Sequence, residues 1–587
     1  MLSKKTRSRT GCHSCKTRKV KCDEEKLRVE GEREPQCRRC TTARIRCEWR
    51  SGPVPRVAPK RLAAKGQRLE NRGQSRTPVD TREAQPLVPT SRLSALGEPE
   101  CIQAANSLSL SSFDRSCLDY LRDSVLVVLL GKHWPWSTIS YTYKRVAVKE
   151  PMVMSMILAT TASEIHRSRL FDSGHGGSLE FNGVSDIHGR MHYGQALSGL
   201  REALVHDVKP AEKLEAIFIT LWLMIDYENR FGSGSVGMDV HMHGITGLLF
   251  NHVLPSVKYT EELRVAFSSK GGEALDGLIR AGNVDDCEQA QLPCGTFNEH
   301  LRSTTVPLFL LWILYFCTPG ALFCSSGIAR VDANLFRLFL RSDPESGPLT
   351  LPELYKISRQ SPARFWGAEY PAAARLDDLE NLPALNLYHK SHVIQFKITE
   401  LFRQDGGAVE KSTCWDYSPY KSLVDELASA SEEYDTVLSS ARSAPSAELL
   451  GDGRRMMETI YWASIAYYST IVYFHLCFGG LIPEGYRQHR WQPLSSAVSE
   501  VLELSLKLYR SKPRLMIRIA WPLFIAGIAT SDRIYQDWVS IRLRELGRYG
   551  QNFTRVSRRF DEIIQAGDPL AVHLVENLTD FRQGEAG

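Results

Sequence analysis

The chain has 587 residues, of which 43% are hydrophobic and 24% are charged, and its formal net charge is +6. This composition excludes a collagen-like fibre, a wholly disordered chain and a small disulfide scaffold, and the length is sufficient for more than one domain. Charge is concentrated at one end: residues 1–50 carry a net +9 and residues 51–100 a net +4, which leaves −7 for the rest. A cationic end and a mildly acidic remainder predict a polyanion-binding segment and a separate body.

Cysteine is divided in the same way, since six of the 14 residues lie between positions 12 and 47. The basic start of the chain is followed by no apolar run, so the sequence predicts no secretory signal and a reducing, intracellular setting. In that setting, clustered cysteines favour metal binding over disulfide formation.

The six clustered cysteines repeat one half-motif twice, in the spacing C-x2-C-x6-C-x14-C-x2-C-x6-C. They are Cys12, Cys15 and Cys22 in the first half and Cys37, Cys40 and Cys47 in the second. Each C-x2-C pair places two sulfurs on one face of a helical turn, and tetrahedral sets of thiolates select zinc. Two zinc sites need eight ligands, so six cysteines suffice only if two of them bridge. By the symmetry of the repeat, the predicted bridges are Cys12 and Cys37.

The two predicted zinc sets share these bridges. One set would contain Cys12, Cys15, Cys22 and Cys37, and the other would contain Cys12, Cys37, Cys40 and Cys47. Each set is then an all-sulfur tetrahedron, and the expected content is two Zn²⁺ per chain.

This segment resembles the six-cysteine binuclear zinc cluster of fungal transcription regulators. Residues beside the ligands also match, at 7–11, at 16–21, at Asp23 and at Pro35. The family's bridging cysteines are its first and fourth, in agreement with the ligand count. The loop between the halves is longer than is usual in the family, and we expect residues 26–34 to form a solvent-exposed loop. The resemblance implies a nuclear protein whose partners are double-stranded DNA and the transcription machinery or co-regulators.

The resemblance also implies how the module contacts DNA. A short helix opened by the first cysteine pair would enter the major groove, where the two basic residues midway between the second and third cysteines reach a CGG triplet. Here those residues are Arg18 and Lys19, and Lys or Arg side chains fit the N7 and O6 acceptors of guanine. The residues expected to hold phosphates are Lys16, Lys21, Arg38, Arg44 and Arg46. A nuclear import patch is predicted at Lys4, Lys5, Arg7 and Arg9, the alternative being that these residues contact phosphate only.

Residues 51–110 are predicted to be a disordered linker, because positions 51–100 hold seven prolines among Ser, Gly, Gln and Arg residues. No heptad repeat is visible there, so a monomer and a homodimer on DNA are both compatible with the sequence. The predicted fold class is a small zinc-nucleated N-terminal module over residues 1–50 and a large all-α domain over residues 111–587, joined by this linker.

The all-α prediction rests on apolar spacing. In Tyr193–Leu204 the apolar residues lie on one helix face, and residues 213–228 are apolar almost all round, as in a helix inside a large core. Residues 303–329 and 459–483 lack charged side chains, but prolines or polar residues interrupt them, so both are predicted to be buried helices and not membrane spans. Residues 113–587 resemble, less specifically, the helical regulatory domain of the same family, which serves regulation, partner contacts or ligand sensing.

Three other patterns resemble enzyme or metal sites but have simpler interpretations. Gly232–Gly237 fits G-x-G-x-x-G but follows a predicted helix and not a strand, so it is interpreted as an interhelical loop. Asp239, His241 and His243 are interpreted as a helix N-cap with ordinary helix histidines. His188 and His192 lack the glutamate of an H-E-x-x-H motif. No catalytic constellation stands out, and the sequence predicts no enzyme.

The sequence therefore predicts a zinc-dependent, sequence-specific transcription factor of RNA polymerase II genes that reads CGG-like half-sites. One alternative is a thiol- or metal-responsive sensor, which would not discriminate among DNA sequences. The other is a ligand-binding helical protein with an appended zinc module. Control of a biosynthetic gene cluster is an additional hypothesis.

Overall fold

The computed structural model describes residues 12, 14–15, 22–23, 37–42, 49, 110–129, 132, 134–173, 186–205, 210–233, 235–253, 299–316, 335, 339, 350–404, 418–443, 455–479 and 492–566. The chain divides into two compact units, residues 1–86 and residues 87–587. Every regular element in the described ranges is helical. This confirms the prediction of a small cysteine-rich module and a large helical domain. Residues 51–109 of the predicted linker lie outside the described residues, so the linker stays a prediction.

In the first unit, helix α1 spans Arg38–Thr42. The helices of the second unit are α2 Ser112–Tyr120, α3 Val125–Leu129, α4 Thr138–Tyr141, α5 Pro151–Asp172, α6 Ile187–Val205, α7 Ala211–Arg230, α8 Ser235–Leu248, α9 Glu299–Arg302, α10 Val306–Tyr315, α11 Leu351–Trp366, α12 Ala372–Gln404, α13 Ser418–Glu433, α14 Asp435–Ser443, α15 Arg455–Phe478, α16 Leu494–Ser511, α17 Ala520–Ala529, α18 Arg533–Leu546 and α19 Gln551–Ala566. A 3₁₀ segment, Pro513–Ile519, leads into α17. None of the described helices is both long enough and apolar enough to cross a membrane.

Local sequence explains where several helices begin. Ser111 accepts a hydrogen bond from the N–H of Asp114 at 3.1 Å, and the Asp114 carboxylate accepts one from the N–H of Ser111 at 2.8 Å. Thr350 and Glu353 make the same reciprocal pair at the start of α11. Each pair satisfies backbone N–H groups that have no partner within the first helical turn.

The helix predicted at Tyr193–Leu204 is α6, and the buried helix predicted at residues 213–228 is α7. Helix α7 packs against α5, α6, α8, α10 and α19. A helix with neighbours on so many sides has no solvent-facing stripe, which explains why its sequence is apolar almost all round.

One sequence interpretation is wrong. Asp239 lies inside α8, which begins at Ser235, so Asp239 is not the N-cap of this helix. The carboxylate of Glu228, near the end of α7, accepts hydrogen bonds from the N–H and the hydroxyl of Ser233, at 2.8 Å and 3.0 Å. These bonds satisfy the turn after α7, and the chain enters α8 five residues earlier than an N-cap at Asp239 would place it.

The described residues of the helical unit form two large apolar cores and a small separate cluster around Trp366 and Tyr370. Phe218 of α7 and Phe309 of α10 belong to the first core. Tyr461 and Phe474 of α15 and Phe524 of α17 belong to the second. Burial of apolar surface contributes about 25 cal/mol for each Å² removed from water, so side chains of this size are the main source of stability.

A buried ion-pair network joins α5 to α7 within the first core. Arg230 is one of the largest fully buried side chains, and it donates to Glu164 at 2.7 Å and to Asp226 at 2.5 Å. Burial alone would lower the pKa of Arg230, but the two carboxylates hold that pKa above its usual value. The guanidinium is therefore buried as a matched ion and not as an isolated charge.

Candidate metal centre

Four thiols of the first unit converge on one point. The Sγ atoms of Cys12, Cys15, Cys22 and Cys37 all lie within 4.8 Å of one another, and all four residues are buried. The Sγ of Cys12 is 3.7 Å from that of Cys37 and 3.8 Å from that of Cys22, and the Sγ of Cys15 is 3.6 Å from that of Cys37. Sulfurs that surround zinc tetrahedrally at about 2.3 Å are about 3.8 Å apart. The thiols are thus spaced as a tetrahedral zinc site requires.

These four cysteines are the members of one predicted zinc set. Of the other set, Cys40 is buried, and its Sγ lies 3.8 Å from the Sγ of Cys12 and 3.8 Å from that of Cys15. Cys47 lies outside the described residues. The structure therefore brings five of the six predicted ligands together and leaves the assignment of the bridges a prediction.

Each half of the repeat positions its leading cysteine by the same local contact. The N–H of Cys15 donates to the Sγ of Cys12 at 3.3 Å, and the N–H of Cys40 donates to the Sγ of Cys37 at 3.4 Å. In the second half, Cys37 stands immediately before α1, and its carbonyl accepts the N–H of Thr41 at 3.0 Å. These amide hydrogen bonds fix the position of each leading sulfur relative to the second cysteine of its pair.

Without a metal, burial favours the protonated form of two thiols of the cluster. Burial raises the pKa of Cys15 to about 12, and its hydrogen bonds with Cys12 and Cys37 act in the same direction. Burial also raises the pKa of Cys40. A coordinated metal reverses this effect because it deprotonates the thiols that bind it. A buried, all-sulfur set with tetrahedral spacing fits Zn²⁺, and zinc bound there would join the two halves of the repeat.

Among the predicted DNA-contacting residues, Arg38 is described: it is the exposed first residue of α1. The remaining predicted DNA contacts and the predicted import patch lie outside the described residues, and their roles stay predictions. These residues are Lys16, Arg18, Lys19, Lys21, Arg44 and Arg46, with Lys4, Lys5, Arg7 and Arg9.

Trp49 is a component of the centre to which the sequence analysis gave no role. Its partly buried side chain packs against the cysteine cluster. The sequence offered one indication, which is the position of Trp49 two residues after the last cysteine. A lone tryptophan in a cationic segment is compatible both with packing against the cluster and with contact to nucleic acid.

Two family models match the chain. Residues 10–56 match the fungal Zn(2)-Cys(6) binuclear cluster domain, and residues 417–565 match the fungal specific transcription factor domain. The chain therefore carries a fungal zinc cluster domain. The match and the four close thiols together indicate that this domain binds zinc. The second match covers α13 to α18 and nearly all of α19, so it extends over the C-terminal part of the helical unit.

Two curated relatives match short parts of the chain. Transcription factor lfc1 of Flammulina velutipes is 40% identical over 73 residues, which is 12% of this chain and 23% of that protein. The aspercryptin biosynthesis cluster-specific transcription regulator atnN of Emericella nidulans is 38% identical over 82 residues, which is 14% of this chain and 12% of that protein. The matched part thus spans less than a quarter of either relative. No solved structure matches this chain.

Proposed function

We propose that this protein is a zinc-dependent transcription regulator that acts in the nucleus on specific DNA sites of RNA polymerase II genes. The observation that carries the proposal is the set of four buried sulfurs, spaced for zinc, inside a segment whose net charge is +9. Zinc fixes the fold of such a small module, and the cationic surface supplies the attraction to DNA phosphates. The fungal specific transcription factor domain supports a regulatory role for the helical unit.

The proposed module contains two zinc ions, with Cys12 and Cys37 as bridges. The Sγ atoms of these two residues are 3.7 Å apart, which is a suitable spacing for two sulfurs that share both metals. Six thiolates then complete two tetrahedra.

For base recognition, we propose that Lys19, assisted by Arg18, contacts the guanines of a CGG-like half-site. Guanine presents two acceptors in the major groove, and a basic side chain is the partner that fits them. The other basic residues, including the exposed Arg38, would contact phosphates and fix the position of the module on the duplex.

Competition binding on a CGG-containing duplex and on a scrambled duplex of equal length tests this assignment. Lys19→Ala is expected to cost about 1–3 kcal/mol on the CGG duplex and little on the scrambled one. Arg46→Ala is the matched control, because loss of a phosphate contact weakens both complexes similarly. Equal weakening of both complexes by Lys19→Ala would show that Lys19 does not read bases. Failure of the intact protein to discriminate at all would favour a thiol- or metal-responsive sensor.

We further propose that the regulated genes form a biosynthetic cluster. The support for this extension is the name of the Emericella nidulans relative, which is itself a regulator of a biosynthesis cluster. Genome-wide mapping of bound sites tests it, and sites scattered over unrelated genes would contradict it.

A further inference from the structure

A cavity of about 250 Å³ lies within the helical unit and is lined by residues of both apolar cores. For comparison, a cavity of about 150 Å³ admits benzene, and one water needs about 10–15 Å³. The cavity is thus large enough for an organic molecule with two fused rings. Helix α12 shows how the wall is built: it contributes one face, at Leu385, Tyr388, His392 and Gln395.

The wall of this cavity is rich in aromatic side chains. Trp222 of α7, Trp312 of α10 and Trp521 of α17 all line it. The ring of Tyr388 meets the ring of Trp462 edge-on, with 4.6 Å between the ring centroids. Rings that stand at such angles present both faces and edges to the cavity, and these surfaces suit a flat aromatic ligand.

Charge in the wall is unbalanced, with four arginines and one aspartate. Arg230 is neutralised by Asp226, and Arg455 forms ion pairs with aspartates of α12. By contrast, none of the ion pairs found between described residues includes Arg359 or Arg518. Two guanidinium groups at the cavity are therefore without a carboxylate partner in the described part of the chain.

Arg518 is the better placed of the two because it is held rigidly. Its Nε donates to the carbonyl of Val128 at 2.9 Å, and its Nη2 donates to the carbonyl of Leu129 at 2.6 Å. Its guanidinium carbon lies 4.6 Å from the centroid of the Trp462 ring. Burial lowers the pKa of Arg518 to about 10, so the group is still a cation at neutral pH. Glu458 acts on Arg518 from a distance and Arg455 opposes it, but no carboxylate of the described residues pairs directly with Arg518. An anion that enters beside this partly buried guanidinium is therefore stabilised.

A second, independent observation concerns hydrogen bonding. The Nε1 of Trp222, the Nε of Arg359 and the Oδ1 of Asn229 are buried and have no hydrogen-bond partner among the described residues. All three residues line the cavity. Buried polar atoms normally have partners, and a ligand or ordered water in the cavity would supply them.

We propose that this cavity binds a small, planar aromatic carboxylate, with its rings between the aromatic side chains and its carboxylate at Arg518. A carboxylate accepts from a guanidinium, and flat rings pack against indole and phenol groups. The inference goes beyond the proposed DNA-binding function and does not depend on it.

Calorimetric titration of the full-length protein with 2-naphthoate, in the absence of DNA, tests the proposal. The expected result is saturable binding at micromolar concentrations. The uncharged isostere 2-naphthamide is expected to bind at least about tenfold more weakly, because it offers no charge to Arg518. Absence of binding at millimolar 2-naphthoate, or equal affinity for the two compounds, would overturn the proposal.

Variants locate the site. Arg518→Gln is expected to reduce the affinity for 2-naphthoate to that for 2-naphthamide. Arg514→Gln is the matched control: Arg514 lies in the same 3₁₀ segment but is half exposed and pairs with Asp123, so its replacement should change neither affinity.

Arg518 also donates hydrogen bonds to two backbone carbonyls, so its replacement affects the fold as well as the cavity. A second variant therefore tests the cavity without removing these bonds. Ala466 lines the cavity and is 6% exposed, so Ala466→Phe fills the space without removing a hydrogen bond. This variant is expected to unfold at nearly the wild-type temperature and to lose binding. Undiminished binding by a folded Ala466→Phe protein would place the ligand elsewhere and refute the assignment. These measurements require no DNA, so their failure is distinguishable from a failure of the proposed DNA-binding function.

Discussion

Among the described residues, the buried side chains of the cysteine-rich unit are thiols, whereas those of the helical unit are mainly aromatic and aliphatic groups. The helical unit also buries charge, and at Arg230 it supplies the counter-charges itself, through Glu164 and Asp226. The buried thiols of the smaller unit are instead spaced for a zinc ion taken from solution. The difference follows from size, since a short segment cannot bury enough apolar surface to fold alone and a long one can.

Removal of zinc should show the difference between the two units most clearly. Structural zinc contributes roughly 10–16 kcal/mol in small modules, so a strong chelator is expected to unfold the zinc cluster domain and to abolish specific DNA binding. The helical unit should unfold at the same temperature with or without the chelator. Zinc content by mass spectrometry, DNA binding and thermal circular dichroism on the full-length protein measure the three effects. A large fall in the unfolding temperature of the helical unit would show that this unit also depends on zinc and would contradict the contrast between the two units.

Substitution of single cysteines sharpens the comparison by testing which sulfurs serve two metals. Cys37→Ser should lose both zinc ions, because a bridging thiolate belongs to both tetrahedra. Cys15→Ser, the matched control, should retain about one zinc per chain. Zinc content of the purified variants is the measurement. If the two variants retain the same amount of zinc, the bridging assignment is incorrect.

Replacement of Arg230 tests whether the helical unit depends on its internal counter-charges. Arg230→Met leaves Glu164 and Asp226 buried without their cation and is expected to lower the free energy of unfolding by about 3–5 kcal/mol. The exposed pair of Arg533 and Asp537 provides the control, and Arg533→Met should change that free energy by less than about 1 kcal/mol. Urea denaturation of both variants supplies the values. Similar small effects would mean that the buried network contributes little.

The pH dependence of stability is the next largest expected effect. Glu215 is buried, and it accepts hydrogen bonds from the N–H and the hydroxyl of Thr305 at 2.7 Å and 2.8 Å. Burial nevertheless raises the pKa of Glu215 to about 7, whereas the unfolded chain releases this proton near pH 4.3. Between those two pH values the folded state holds the extra proton. The stabilisation is therefore fully present below about pH 4.3 and is lost as the pH rises through 7.

The expected loss from Glu215 is of the order of 3 kcal/mol across that window. Glu215→Gln retains a hydrogen-bond acceptor for Thr305 but cannot titrate, so its stability should vary less between pH 5 and pH 8. Chemical denaturation of the two proteins at both pH values provides the comparison. If the stability of the two proteins changed equally between the two pH values, Glu215 would not be the cause of the pH dependence.

The sequence predicted the metal centre better than it predicted the interior of the helical unit. Metal ligands follow coordination chemistry, so the spacing of Cys12, Cys15, Cys22 and Cys37 was sufficient to group four sulfurs that the structure brings together. The helical class was predictable because apolar periodicity is a local property. The packing of Trp49 against the cluster depends on tertiary structure and left no distinctive pattern.

The cavity could not have been predicted, for a physical reason. Its wall extends in sequence from Leu129 to Phe553, and each helix contributes one face that resembles an ordinary core stripe. Trp222 and Trp312 lie in apolar runs that gave no sign of an unfilled space. The start of α8 was misjudged because Asp239 is a good N-cap type, while the turn ahead of α8 uses the more distant Glu228.

The contact between Trp49 and the cysteine cluster has a spectroscopic consequence. Trp49 is the first of 11 tryptophans in the sequence, and the next one is Trp134, in the helical unit. Indole emission is sensitive to neighbouring sulfur, and the sulfur changes between thiolate and thiol as metal binds and leaves. The zinc cluster domain therefore contains its own intrinsic fluorophore, and the difference between the emission of the wild-type protein and that of a Trp49→Phe protein reports metal occupancy without a label.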